Sequence, residues 1–317
     1  MFRSIVIHQI SLNHLCILQA GLLHNDILIF GTEGGILSLC ESPTIFMDGT
    51  FKTVPQIYLQ LFVIFNFVGE RLIPRAFVLM ANKRLPSYAT LFNWLVHICQ
   101  RNDHVLAPTT IVSDFESALA GAVSQQWPNA LHHGCYFHFT QAVWRKVQEH
   151  GITALYNNND EARNCVRKLL AMAFLPIPII RNNFQLLSNA SPQALQPLFE
   201  YFNAQWLTRI PLSRWNVFDA DNRTNNHVEG WNRRFNASVR RHHTNIWHFL
   251  RCLKDEHSAN EMAINQFIAG QIIAGPRNTQ YLAIDRRIAR LKQRFEDGII
   301  NTDVYWQGMA HLVGSKQ

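Results

Sequence analysis

The 317-residue chain is 48% hydrophobic and 16% charged, which excludes an intrinsically disordered protein and is enough for a large core over about two domains. Its 29 Lys and Arg against 22 Asp and Glu give a net charge of +7, which fits either an anionic partner, nucleic acid first, or a merely soluble basic protein. The cysteines at 16, 40, 99, 135, 165 and 252 are scattered without a Cys-x-x-Cys pair, which excludes a disulfide framework and fits a reduced intracellular protein.

Residues 1–25 carry little signal. They are fairly apolar, but His8, Gln9, Asn13 and His14 interrupt the run, so neither a signal peptide nor a membrane helix is expected. Residues 26–30 (DILIF) read as a strand, and 34–40 as a short helix. Three apolar runs follow: TIFMDGTFK at 44–52, IYLQLFVIFN at 57–66 and LIPRAFVLMAN at 72–82. Val54-Pro55 and Gly69-Glu70 punctuate them, and the spacing predicts an antiparallel meander. Pro74 argues that the third strand lies at an edge or starts there. The apolar stretch 58–68 is too short to span a bilayer and suits a central strand.

Pro86 to Arg101 reads as a helix, with Leu91, Leu95 and Ile98 at helical spacing. TTIVSDF at 109–115 is the next strand, and 116–127 a helix ended by Pro128. ALHHGCYFHF at 130–139 reads as a last strand turning into a helix that Gly151 closes. From 152 to 222 the pattern is helical and broken by prolines 176, 178, 192, 197 and 211. Asn225 or Asn226 caps a helix carrying Glu229, expected to continue past Arg241 through residues 246–256. Residues 284–298 form another helix, with Ile284, Ile288, Leu291 and Phe295 as its buried stripe and Arg286, Arg287, Arg290 and Arg294 on its remaining surface.

Three carboxylates stand out against this background. Asp48 is a charge inside an apolar strand, Asp114 ends a strand before a helix, and Glu229 sits in TNNHVEGWNRRFN at 224–236. Burying an unpaired carboxylate costs several kcal/mol, roughly, so each needs a metal, a partner or a raised pKa.

The phrases DGTF at 48–51, SDFESAL at 113–119, GCYFHF at 134–139 and TNNHVEGWNRRFN, in that order, make the chain resemble the catalytic domain of Mutator-like element (MULE) transposases, from about Ile27 to about Leu253. The resemblance implies a ribonuclease H-like α/β fold: a mixed five-stranded sheet flanked by helices, with an all-helical insertion before the last catalytic helix. It divides the chain into a lead-in at 1–43, a first core part at 44–151, the insertion at 152–222, a catalytic helix at 223–268 and a helical tail at 269–317. It implies an Asp–Asp–Glu triad of Asp48, Asp114 and Glu229, holding two Mg²⁺ or Mn²⁺ ions for DNA cleavage and strand transfer. The family's Cys-x-x-His falls on Cys135 and His138, which support the site or contact DNA, together with Asn226 and His227. Structural zinc is not expected, since four-ligand spacing is absent. Arg233, Arg234, Arg240 and Arg241 can neutralise phosphates or form a solvated face, while Trp231 and Trp247 are favoured as packing residues over base-stacking ones. Glu116 is expected to stabilise the start of its helix.

The implied partners are DNA and, when active, further copies of the chain; no membrane is expected, and the location is the nucleus. With about 47 residues before Asp48 and no finger motif, a truncated or domesticated transposase is expected alongside an intact domain. The competing readings are a catalytically inactive DNA- or chromatin-binding adaptor and a ribonuclease or junction nuclease.

Overall fold

The computed structural model describes residues 16–18, 27–220, 226–240, 244–271 and 279–314. In chain order, β1 (Cys16–Leu18) and β2 (Ile27–Gly31) precede α1 (Glu33–Leu37), where the Thr32 hydroxyl accepts from the Gly35 N–H at 3.0 Å. The three apolar runs become β3 (Thr44–Thr50), β4 (Gln60–Val68) and β5 (Arg71–Met80), rich in the β-branched and aromatic residues that fill a pleated surface. Then come α2 (Leu85–Arg101), β6 (Thr110–Ser113), α3 (Ser117–Gln126), β7 (Leu131–Gly134) and α4 (Tyr136–Glu149). Helices α5 (Thr153–Asn158), α6 (Asp160–Ala171), α7 (Ile177–Ala190), α8 (Gln196–Phe202) and α9 (Leu212–Trp215) follow. The chain ends in α10 (Asn226–Val239), α11 (Ile246–Ile268), α12 (Thr279–Glu296) and α13 (Thr302–Gly314). No described helix is long and apolar enough to cross a membrane.

The chain forms two compact units. One comprises Met1–His132 with Asn225–Gly275, the other His133–Thr224 with Pro276–Gln317. In the first, the strands are ordered β1-β2-β5-β4-β3-β6-β7. From β1 to β6 the pairing is antiparallel except between β3 and β6, which run parallel. The fold is therefore mixed α/β, with seven strands rather than five. The extra two, β1 and β2, extend the sheet beyond β5, the side the meander alone would have left open.

Both sheet faces are covered, which is why β4 reads as an unbroken apolar run rather than an alternation. Ile45, Met47, Phe62 and Ile64 face Leu91, Phe92, Leu95, Leu119 and Val123 of α2 and α3. Phe46, Val63, Phe65 and Phe77 face Val228, Trp231, Phe235 and Val239 of α10 and Phe249 and Leu253 of α11. Each fully buried side chain of this size contributes about 1.5–3 kcal/mol.

The second unit is helical throughout its described length beyond β7. Its centre is aromatic: Phe139 stacks on Trp215 with centroids 5.1 Å apart and meets Trp206 edge-on at 4.7 Å. The α13 side chains lock onto earlier helices through carbonyls, Tyr305 Oη donating to Phe174 O at 2.9 Å and Trp306 Nε1 to Lys168 O at 2.9 Å.

Three local expectations change. First, β5 lies between β2 and β4, so Pro74 is not on an edge strand. The β2 pairing stops at Gly31↔Ala76, however, and opposite Pro74 the register slips between Ile64 and Phe65, leaving Arg75 bulged. A residue without an N–H fits where one flank has ended and the ladder is already broken. Second, the helix expected to run past Arg241 stops at Val239: Arg240 takes φ 59°, and Asn245 caps a separate α11, its side chain accepting from His248 N at 2.9 Å. Third, β7 ends at Gly134, so Tyr136 to Phe139 already belong to α4.

At Gly31 an added Cβ would sit 2.9 Å from the Arg75 carbonyl oxygen. Gly31→Ala is therefore expected to destabilise the protein by about 1–3 kcal/mol, seen as a lower urea midpoint with an unchanged slope. At Gly34 nothing lies within 4 Å of the added Cβ, so Gly34→Ala should not lower the midpoint. Equal midpoints for the Gly31 variant and the parent would mean the bulge yields.

Candidate functional site

The site is built where β3 leaves the core. The pleat sends Ile45 and Met47 to one face and Phe46 to the other, so Asp48 follows Phe46 onto the α10 face, where it is 5% exposed. Helix α10 meets it with two stripes. Val228, Trp231, Phe235 and Val239 form the apolar one, with Trp231 stacked on Phe235 at 4.9 Å and edge-on to Phe65 at 5.3 Å. Beside it run Glu229, Asn232 and Asn236, at helical spacings of three and four.

This polar stripe grips β3 and the residues after it. Asn232 Nδ2 donates to Asp48 Oδ2 at 2.6 Å. Asn236 Nδ2 donates to Thr50 Oγ1 at 3.0 Å, and Thr53 Oγ1 donates to Asn236 Oδ1 at 2.7 Å. Glu229 lies within the field of Asp48. Burial first, and the Asp48 charge second, push its carboxyl up from 4.5 to about 8, while Arg233 pulls the other way. Glu229 Oε1 is buried and has no hydrogen-bond partner.

Asp114 lies one residue beyond β6. The parallel register ends with Phe46 paired to Val112, two residues before Asp48 on one strand and Asp114 after the other. Adjacent strands are about 4.8 Å apart. The Asp114 carboxylate also starts α3, Oδ1 accepting from Glu116 N at 3.0 Å. Just before it, Ser113 Oγ lies 2.7 Å from His132 Nε2.

A polar floor runs below the two strand ends. Gln60 Nε2 donates to Tyr88 Oη at 2.8 Å; burial raises the Tyr88 pKa, and the charges of Glu116 and Asp114 raise it further. Gly49 follows Asp48 because Gln60 comes so close: an added Cβ would lie 2.6 Å from Gln60 Oε1. Glu116 holds the N-cap position of α3 without making a side-chain cap bond. Its carboxylate pairs instead with Lys83 Nζ at 2.6 Å, and Lys83 lies 4.7 Å from the Phe51 ring centroid.

The structure thus couples Asp48 to Glu229, while Asp114 follows the neighbouring strand and its charge acts on Tyr88. Among the described residues, no three His, Cys, Asp or Glu side chains are grouped so as to hold one metal ion. Cys135 and His138 belong to the second unit, Cys135 buried at the N-cap of α4 and His138 in its first turn with Nδ1 buried and unpartnered. His227 meets Phe67 edge-on at 5.4 Å. Arg233 and Arg240 are exposed, whereas Arg234 is engaged by Glu256 at 2.6 Å. The Asn226 side chain and Arg241 lie outside the described residues. Trp231 is core and donates to Glu256 Oε1 at 2.6 Å; Trp247 is 78% exposed.

Sequence reasoning misses Asn232, Asn236, Thr50, Thr53, Gln60 and Lys83. For the two asparagines a signal exists, because they follow Glu229 by three and seven positions within the same phrase.

A carboxyl largely desolvated beside a second carboxylate favours either a proton or a cation. Its all-oxygen donor set suits a hard ion such as Mg²⁺ or Mn²⁺. Without metal, the folded chain keeps a Glu229 proton that the unfolded chain has released between pH 4.5 and about 8. Stability associated with Glu229 is therefore greatest at the acid end and falls as pH rises through that window, by on the order of 2–4 kcal/mol. Glu229→Gln should remove this slope, read as the difference between parent and variant in urea melts from about pH 5 to about pH 8. Parallel pH profiles would rule out the coupled pair.

Residues 44–142 match the family model of the MULE transposase domain. The match runs from β3 into α4, taking in Asp48, Asp114, Cys135 and His138 and ending before Glu229. No curated protein matches the chain. Over these residues the chain is similar to a MULE transposase domain.

Proposed function

We propose that this chain is a transposase domain of the Mutator-like type that cleaves and joins DNA strands, with Asp48, Asp114 and Glu229 as its divalent-metal ligands. The observation that carries the reading is Glu229: a half-buried carboxyl, raised to about 8 by burial and then by Asp48, with a buried oxygen left without a hydrogen bond. Such a group is poised for a cation. The antiparallel run β3-β4-β5, with β6 set parallel beside β3, supports a ribonuclease H-like core. The matched MULE region supports the transposase class. Bound Mg²⁺ or Mn²⁺ would activate the attacking oxygen and stabilise the leaving one at phosphorus. The chain's own part is to hold the carboxylates: Asn232 orients Asp48, Asn236 with Thr50 and Thr53 fixes α10 against β3, and Lys83 balances Glu116 at the rim. The reading carries with it action in the nucleus and on paired DNA ends by a homo-oligomer.

The test is cleavage of supercoiled and branched DNA by parent and Asp48→Asn with Mg²⁺ or Mn²⁺. The variant keeps an oxygen that accepts from Asn232 but loses the charge that holds a metal against its hydration. Cleavage is expected to fall about 100-fold or more, the size of loss seen when one strong electrostatic contribution to catalysis is removed. The melting temperature should hold or rise, because one like-charge repulsion is gone. A variant that cuts as well as the parent would remove Asp48 from the site. Failure of both proteins under every metal condition, with DNA binding intact, would favour the inactive adaptor.

A further inference from the structure

The positive charge of this protein does not sit on the unit that bears the carboxylates. Sixteen Lys and Arg and ten Asp and Glu fall in residues 133–224 and 276–317, so the helical unit carries +6 of the chain's +7. The sheet-bearing unit, with Asp48, Asp114 and Glu229, is left at +1.

Within the helical unit the charge is ordered on α12. At 3.6 residues per turn, Arg286, Arg290, Arg294 and Arg287 occupy one arc of about 100°. All four are exposed, and between positions 283 and 294 the other residue in that arc is Ala283. The apolar stripe Ile284, Ile288, Leu291 and Phe295 lies to one side and packs on α13: Phe295 stacks on Tyr305 at 4.5 Å, and the Leu291 side chain lies against Gly308. Asp285, Lys292 and Glu296 lie beyond that stripe. There Lys292 is engaged by Asp219 at 3.5 Å and Glu296 at 3.4 Å. Asp297, just past the helix end, accepts from Gln293 Nε2 at 2.8 Å. The helix thus sorts its charges, leaving four guanidinium groups on one face with no acidic side chain between them.

We infer that this α12 face is a sequence-independent binding surface for a nucleic-acid backbone. Arg286 to Arg294 spans about 12 Å at 1.5 Å per residue. Duplex DNA presents a phosphate about every 1.7 Å of axis, so several phosphates face such a span. Guanidinium groups bind phosphate bidentately and stay charged. A docked acidic peptide would want apolar anchors between the cations, and Ala283 is the apolar residue the arc offers. The inference extends the proposed function, because an enzyme acting on DNA must hold it, but its test requires neither metal nor cleavage.

The test compares the full chain with R286Q/R290Q/R294Q and with a charge-matched control, R101Q/R145Q/R209Q, whose three arginines are also exposed. Binding of a random-sequence duplex is measured by fluorescence anisotropy in EDTA across a salt series. The α12 triple is expected to bind roughly tenfold more weakly at about 0.1 M salt, with the log–log salt slope reduced by about two to three. The control should lose clearly less. Equal losses would mean a net-charge effect and overturn the surface, as would no loss in the α12 triple. Displacement of the duplex by polyglutamate at equal charge concentration would also overturn it, in favour of an acidic polypeptide. Should the triple fail to fold, phenylglyoxal modification of the unaltered protein answers the same question. DNA must slow modification at Arg286–Arg294 more than at Arg101 or Arg209, or the inference falls. Loss of cleavage in Asp48→Asn with unchanged anisotropy keeps this test separate from that of the metal site.

Discussion

The packing of α10 against the end of β3 is the contact on which the candidate site depends. It forces a carboxylate on a buried strand to share space with a carboxyl on a helix. The two charges repel, and the Asp48 charge adds to burial in pushing the Glu229 carboxyl up to about 8. The Asn232 hydrogen bond to Asp48 contributes about 1.5–3 kcal/mol, the usual range for a bond to a charged group. Glu229 is raised even with that bond in place, so the pair resolves the repulsion with a proton on Glu229, or with a cation. Apolar packing holds the helix in place meanwhile: Trp231 and Phe235 lie in the same cluster as Phe65 and Phe77. The polar stripe therefore does not have to stabilise the fold. It has only to set the register of α10 on β3, which the Asn236 bonds to Thr50 and Thr53 do.

The same crowding governs Asp114. This residue follows the strand that makes the one parallel pairing among the first six, β6 with β3. Strand β6 is short, and its last buried residues, Val112 and Ser113, are followed at once by the turn into α3. The turn takes one oxygen of Asp114 for the Glu116 N–H. A carboxylate so engaged helps to start a helix. Lys83, held between Glu116 and the Phe51 ring, adds a cation at that end and partly offsets the negative field.

Much of this arrangement is legible in the amino-acid sequence. Runs of β-branched and aromatic residues mark β2 to β6, and proline or glycine punctuation marks their ends. The acidic positions are legible because charge inside an apolar run is conspicuous. Long-range pairing is not legible in the same way. Nothing local to Gly31 says that β2 will lie on β5, and that pairing is what turns Pro74 from an edge marker into a bulge marker. Asn232 and Asn236 give only an ambiguous signal, since an asparagine at helical spacing from a glutamate is also what a solvated face looks like. The Arg234 side chain is ambiguous for the same reason. Its partner Glu256 comes from α11, a helix that the residue pattern alone does not separate from α10.

The division of charge between the units follows from the chemistry proposed for the first. Carboxylates brought together as proposed would produce a negative field that repels a polyanion until metal is bound, and a core this apolar leaves little room for compensating cations. The sheet-bearing unit is accordingly close to neutral, and its one conspicuous basic phrase is partly engaged: Arg234 by Glu256, Arg233 within the field of Glu229. Long-range attraction must then come from elsewhere in the chain, and the helical unit, at +6, is where the sequence puts it. A helix whose arginines fill one arc while its acids lie beyond the apolar stripe keeps that attraction from being cancelled locally. Salt would weaken such a surface far more than it weakens the buried pair, because exposed charges are screened over about 8–10 Å and buried ones much less. Holding nucleic acid and cutting it would then respond differently to ionic strength, the first failing with salt while the second fails with loss of metal.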